Sequence, residues 1–243
     1  MYMKCFEKGD NTLINNIKGI IFDADNTIVD HRDCERLALE FLFKKIGEKY
    51  NTEYQEVFRP LDRELWDNVA LNRATISKEL IPEYRFKLFF NKICIPYNDY
   101  KKANELFQYG LEHSVALIEK ADEVIEYLYN KNYMLFVATN GLVRLQKPRI
   151  INSNISKYIS DIIVSEEVGL AKPNPIIFKT LLQNNNINSS EAIMIGDSLE
   201  KDIQGAKNAN MKSIWYNPKE KYNNTNIIPD YEIKSLLELK HLF

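Results

Sequence analysis

Apolar and polar positions fall into two regimes along the chain. Residues 18–24 (KGIIFDA) are a short apolar run with β-branched members that stops at acidic and polar residues, which predicts a buried strand opening into a loop. Through residues 33–113 strand-like runs nearly vanish and helical spacing takes over. Leu37, Phe41 and Ile46 predict one helix face, with Glu40, Lys44 and Lys45 between them; Leu80, Tyr84 and Leu88 recur at four-residue steps as one side of another helix. After residue 118 the two element types alternate. Helices are predicted at 121–131, 142–152, 175–185 and 200–209, strands at 133–138, 161–165, 192–196 and 212–216, and a last helix at 233–241.

Alternating strands and helices, with strands that are nearly continuously apolar, imply an α/β fold built on a doubly wound parallel sheet. The strand at 18–24 needs that sheet to be buried. The helical block, residues 31–115, is therefore expected as an insert, and the α/β core as discontinuous, 17–30 with 116–243. Residues 1–16 form an N-terminal extension for which no role is predicted. There is no internal repeat and no low-complexity tract.

Composition narrows the classes. The chain has 243 residues, enough to bury a core without staples, and a formal net charge of −2. That balance offers no basic field for a nucleic acid polymer, whereas a few local charges suffice for a small phosphorylated ligand. Cys5, Cys34 and Cys94 have no ligand spacing and are expected as reduced thiols. The first seventeen residues carry Lys4, Glu7, Lys8 and Asp10 without a continuous apolar run, so no signal peptide is expected, and no stretch reaches the length of a membrane span. A cytoplasmic protein, monomeric or homodimeric, is the expectation.

The candidate chemistry lies at the carboxyl ends of the predicted strands, where parallel sheets bind ligands. The first ends in Asp23-Ala24-Asp25-Asn26-Thr27 and the second in Thr139-Asn140-Gly141. A loop after the third carries Lys172-Pro173, and the fourth ends in Gly196-Asp197-Ser198, with Asp202 five residues past Asp197. Each fragment alone is an ordinary cap or turn; their order at successive strand ends is what carries meaning. Asp23, Asp25 and Asp197 would repel one another unless a cation sits among them. Oxygen-only ligands suit magnesium, and no His or Cys is at hand for zinc.

At these residues the sequence resembles the haloacid dehalogenase-like hydrolases: FDADNT, ATNG, the lysine of AKP and GDSLEKD match the family's four motifs in order. The helical insert stands where that family places a cap. Within it, ATNGLVRLQ, VGLAKPNPIIF and LWDNVALNRATISKELIPEYRF resemble the bacterial pyrimidine 5'-nucleotidases. The resemblance implies Asp23 as a nucleophile that forms an aspartyl-phosphate. It implies Asp25 as general acid with its backbone carbonyl on magnesium, and Thr139, Asn140 and Gly141 as phosphate-binding residues. Lys172 would be the neutralising cation, Asp197 a direct metal ligand, and Asp202 and Ser198 supporting residues. Asp25 argues for phosphoryl transfer, since a halide leaving group needs no proton there. The implied substrate is a nucleoside monophosphate, with a sugar phosphate or other small phosphoester as the alternative, a phosphomutase as another, and a non-enzymatic binding module as a third.

Two departures stand out. Pro148 falls inside the helix after ATNG, which is expected to start late or bend, and Asn72 sits where the subgroup often has glycine. In the insert Trp66, Tyr84, Phe86, Phe89 and Phe90 are expected as its core and His31 as a surface hinge residue. Arg73, beside Asn72 and Thr75 in a predicted inter-helix turn, is the better candidate than Arg85 for contacting the leaving group.

Overall fold

The computed structural model describes residues 14, 16–70, 73 and 76–243 and divides the chain into two compact units. One takes in the chain up to Val29, Leu117–Lys147 and Ser153–Phe243; the other is Asp30–Ala116 with Pro148–Asn152.

The first unit is built on six strands: β1 (Gly19–Phe22), β2 (Met134–Thr139), β3 (Ile159–Val164), β4 (Ala192–Gly196), β5 (Lys212–Tyr216) and β6 (Tyr231–Ile233). All neighbours pair in parallel, in the order β3-β2-β1-β4-β5-β6. The apolar runs recognised in the sequence become its central strands, because burial on both faces leaves no room for polar alternation. Ile21, Phe136, Ala138 and Met194 pack with Ile177, Phe178 and Leu181 of α8 (Pro175–Asn184), which follows the one-turn α7 (Ser165–Val168), and with Ala206 of α9 (Gln204–Asn208). The alternate residues Ile20, Phe22, Leu135, Val137, Ile193 and Ile195 are equally buried on the opposite face. On that side α5 (Ala121–Asn130) packs against β2 and against α10 (Leu239–Leu242). The chain steps outward from β1 to β2 and β3, then returns to place β4 on the other side of β1. The crevice between reversed halves therefore opens at the carboxyl ends of β1 and β4.

Three elements differ from expectation. The last segment, expected as a helix at 233–241, opens instead with β6 and ends in a 3-10 turn and the short α10. The helix expected at 200–209 begins as a π-helical turn, Leu199–Ile203, before α9. The helix α6 (Val143–Ile151) runs through Pro148 without a late start, and the main chain of Asn152 donates to the Pro148 carbonyl at 2.8 Å.

The second unit is helical: α1 (His31–Ile46), α2 (Glu53–Ala70), α3 (Ile81–Lys92) and α4 (Tyr100–His113). Its core is aromatic, with Phe43, Phe58, Phe86, Phe89, Phe90 and Phe107 in mutual contact. The buried faces are not the expected ones. In α1 they are Cys34, Ala38 and Leu42 with Leu39 and Phe43, while Leu37, Phe41 and Ile46 are only half-buried. In α3 they are Ile81, Phe86, Phe89 and Phe90, with Leu80 56% exposed just before it and Tyr84 and Leu88 half-buried. The expected cap-core aromatics thus divide, Phe86, Phe89 and Phe90 inside and Trp66 and Tyr84 toward the periphery.

Candidate active site

Asp23 stands one residue past β1, and its N–H donates to the Ile195 carbonyl at 2.9 Å, which ties the strand end to β4. The segment then closes into a tight turn in which Val29 N–H returns to the Ala24 carbonyl at 2.9 Å. Thr27 is fully buried beneath it.

Lys172 is the hub. Its ammonium, almost wholly buried, meets three acceptors: Asp23 Oδ1 at 2.5 Å, Asp202 Oδ1 at 2.8 Å and the Ala138 carbonyl at 2.8 Å. Burial alone would depress this ammonium; the carboxylates of Asp202 and Asp23 more than offset it and keep it charged. Burial pushes the Asp23 carboxyl upward, with Lys172 opposing and Asp202 and Asp25 adding to the rise. Asp197 is likewise raised, to about 6, by burial first and by Asp202 second, with Lys221 opposing.

The position of Lys172 is set by Asn140. The Asn140 amide donates to the Lys172 carbonyl at 3.1 Å and accepts from the Lys172 N–H at 2.8 Å. Asn140, implied as a phosphate ligand, thus has its side chain engaged in holding the Lys172 loop. Thr139 is buried at the end of β2. Gly141 has φ +142°, and its N–H is held by Ser165 Oγ at 3.0 Å.

Asp202 is reached through an absent side chain: a Cβ at Gly196 would stand 2.3 Å from Asp202 Oδ2. That oxygen accepts the Ser198 N–H at 3.0 Å, while Ser198 Oγ accepts from Lys201 N–H at 3.2 Å and caps the π-helical turn. Trp215 Nε1 donates to the Asp197 carbonyl at 3.1 Å.

Among the described residues, Asp23, Asp197 and Asp202 bring one carboxylate oxygen each to within 4.8 Å of one another. One buried ammonium does not balance three carboxylates, and all these donors are oxygen, so the cluster suits a hard divalent cation. Asp202 is 1% exposed and lies against Lys172 and the Ser198 N–H, so Asp23 and Asp197 are the more accessible members of the cluster for holding an ion.

Asp25 lines the same cleft, about 460 Å³ in volume, with Thr139, Asn140, Lys172 and the three clustered carboxylates. Its carboxylate accepts from Gln146 Nε2 at 2.9 Å. Gln146, on α6 and nearly buried, is a residue that sequence reasoning missed; its only signal is its place within ATNGLVRLQ. The lining also includes Lys221, Tyr222 and Asn224 from the loop after β5, which were also not foreseen.

The candidates in the second unit fare differently. Arg85 is buried, bonded to Asp62 at 2.9 Å and Asn104 at 2.8 Å, with its guanidinium over Phe58, Phe86 and Phe107. It is a structural arginine of the helical core. Arg73 is exposed, and its N–H donates to the Asn68 carbonyl at 2.7 Å, closing the end of α2. Asn72 and Thr75 lie outside the described residues. His31 begins α1 and is half-buried. Among the described residues no helix is long and apolar enough to cross a membrane.

Comparison with known proteins agrees with this geometry. The family model for haloacid dehalogenase-like hydrolases matches residues 20–216. A pyrimidine 5'-nucleotidase of Streptococcus pneumoniae is 30% identical over 91% of this chain and 93% of its own length. A glyceraldehyde 3-phosphate phosphatase of Pyrococcus abyssi is also 30% identical, over 82% and 81%. The crystal structure of the HAD-hydrolase YfnB of Bacillus subtilis, bound to magnesium, superposes with a TM-score of 0.79 at 28% identity, covering 93% of this chain and 98% of that one. With its parallel sheet, its carboxylate cluster and a match running from β1 through β5, the chain belongs to the haloacid dehalogenase-like hydrolases.

Proposed function

We propose that the protein is a magnesium-dependent phosphomonoester hydrolase that works through an aspartyl-phosphate on Asp23, with a nucleoside monophosphate, pyrimidine by preference, as substrate. The observation that carries the reading is the Lys172 ammonium clamped between Asp23 and Asp202 at the foot of a cleft that also holds Asp25. An anionic nucleophile and an anionic ester repel; Lys172 and a cation held by Asp23 and Asp197 cancel that repulsion. The bound cation would supply Lewis-acid stabilisation of the phosphoryl oxygens and favour the ionised form of Asp23, which burial otherwise opposes.

Asp23 attacks phosphorus through a carboxylate oxygen, and the bond from phosphorus to the leaving oxygen breaks. Asp25 gives its proton to that oxygen. Water then attacks the phosphorus of the acyl phosphate while Asp25 takes up a proton, and inorganic phosphate departs with Asp23 restored. Gln146 holds the Asp25 carboxylate in place between the two half-reactions. Thr139 and the Gly141 turn border the phosphate, and Arg73 is kept as a contact for the leaving group.

The nucleotide preference is supported by the likeness to the pneumococcal nucleotidase and by the ATNGLVRLQ stretch. A second reading, hydrolysis of a small sugar phosphate, is favoured by the equal identity to the glyceraldehyde 3-phosphate phosphatase of Pyrococcus abyssi. Phosphate release across a panel of nucleoside monophosphates and triose or hexose phosphates, with and without chelator, decides between them. Hydrolysis that survives excess chelator, or that favours sugar phosphates over nucleotides, overturns the corresponding part of the proposal.

A further inference from the structure

Part of the lining of the cleft comes from the loop joining β5 to β6, and this loop is more fully hydrogen-bonded than a surface connection requires. Asn217, 2% exposed, anchors its start: the side-chain amide donates to the Lys221 carbonyl at 3.0 Å and to Glu232 Oε1 at 2.7 Å, and accepts from the Lys221 N–H at 2.9 Å. Asn223 and Thr225 fix the far side. The Thr225 hydroxyl donates to Asn223 Oδ1 at 2.7 Å, and the Asn223 amide donates to the Ile227 carbonyl at 2.8 Å. Between the two locks stands Tyr222, with 91% of its surface exposed, lining the same cleft as Asp23 and Thr139. Asn224 and Lys221 line it as well.

A large aromatic side chain left in water on a hydrogen-bonded loop beside the carboxylate cleft is an available contact surface. The bonds of Asn217, Asn223 and Thr225 hold the backbone that carries it, so the ordering cost of covering it falls on the Tyr222 side chain alone. The chemistry on offer is a π face from Tyr222, a donor and an acceptor together on the Asn224 amide, and a positive charge from Lys221. A polyol phosphate has no flat face to lay on Tyr222. A heterocyclic base does, and its edge carries the donors and acceptors that an amide reads.

We infer that the β5–β6 loop is a leaving-group subsite carried by the α/β core itself, in which Tyr222 stacks on the base of a nucleoside monophosphate and Asn224 bonds its edge. The inference rests on the phosphomonoesterase reading of Asp23 and adds a specificity element outside the helical insert.

The test uses the full-length protein with magnesium present. For wild type, Tyr222→Ala and Tyr222→Phe, kcat/KM is measured with uridine 5'-monophosphate and with glycerol 3-phosphate. The ratio of the two is expected to fall about tenfold in Tyr222→Ala and to be retained in Tyr222→Phe, since a stacked aromatic ring is what the alanine removes. A parallel binding measurement is independent of turnover. In the Asp23→Asn background, adding Tyr222→Ala is expected to weaken uridine 5'-monophosphate about tenfold more than it weakens inorganic phosphate. An unchanged ratio in Tyr222→Ala overturns the subsite, as does a protein that binds uridine 5'-monophosphate no more tightly than inorganic phosphate. Turnover that persists in Asp23→Asn overturns the hydrolase reading instead, and the binding comparison still judges the subsite.

Discussion

At the scale of single residues, Lys172 and Asp25 are each held by a specific neighbour. Lys172 spends its ammonium on Asp23, Asp202 and the Ala138 carbonyl, while Asn140 holds the Lys172 main chain. Replacing Lys172 with Met leaves two buried carboxylates facing each other without their counterion. Breaking a buried pair in this way costs about 3–5 kcal/mol. Lys172→Met is therefore expected to be inactive and to unfold at lower temperature in the absence of metal; near-wild-type thermal stability would show that the ammonium is not the internal counterion. Gln146 makes a subtler case. Its amide orients Asp25, and a hydrogen bond to a charged group is worth about 1.5–3 kcal/mol, or roughly ten- to hundredfold in rate. Gln146→Leu is expected to lower kcat by about that factor on a nucleoside monophosphate. On p-nitrophenyl phosphate, whose leaving group needs little protonation, the loss should be clearly smaller. Equal losses on both substrates would mean that Gln146 acts on packing rather than through the acid.

At the scale of elements, what the sequence made legible followed burial and length. The central strands declared themselves because a strand covered on both faces is apolar at nearly every position, and the ends of β1, β2 and β4 showed their polar residues by contrast. The edge strand β6 was not legible: Tyr231-Glu232-Ile233 is three residues long with a charge at its centre, as short edge strands tend to be. The helical insert was assigned the right element type but the wrong faces. Its core is so rich in phenylalanine that several stripes have helical period, and the true stripe of α1 runs through Ala38, a residue that a hydrophobicity pattern undervalues. Ala38 is small for a reason found on α4, at Gly110. A Cβ on Gly110 of α4 would stand 2.8 Å from Ala38 Cα, so the two helices touch backbone to backbone. Gly110→Ala is expected to push α1 and α4 apart and destabilise the helical unit by about 1–3 kcal/mol, despite alanine's better helix propensity. Urea denaturation measures it; a Gly110→Ala protein as stable as wild type would mean that the helices separate without cost. Gln146 and Tyr222 escaped notice for another reason: Gln146 is a single side chain on a helix face at the end of the ATNGLVRLQ stretch, with no periodic signal to single it out, and Tyr222 is a loop residue outside every motif.

At the scale of the whole molecule, the carboxylate cluster should make stability depend on both pH and metal. Asp197 has its carboxyl raised from 3.8 to about 6 by burial and by Asp202. A carboxyl raised in the folded state favours folding when protonated. That contribution is complete below the unfolded value, is lost as pH rises from about 4 through about 6, and leaves the ionised group as a burden at neutral pH. Asp197→Asn removes the charge without removing the shape. In the metal-free protein at pH 7 it is expected to raise Tm by several degrees, corresponding to at most about 3 kcal/mol. The advantage should shrink on acidification and vanish below about pH 4, where the wild-type carboxyl is protonated in both states. Magnesium should narrow the gap. An ion that binds only the folded state adds about 2.7 kcal/mol at a hundredfold excess over its Kd, so wild type should gain Tm steadily with magnesium, whereas Asp197→Asn, lacking one of the carboxylates proposed to hold the ion, should respond far less. Scanning calorimetry of both proteins at pH 4 and pH 7, with and without magnesium, makes the comparison in one series. Equal magnesium-induced shifts would remove Asp197 from the metal site. A variant less stable than wild type in the metal-free state at pH 7 would show that the carboxylate is satisfied within the fold, and that the cluster does not depend on a cation to relieve it.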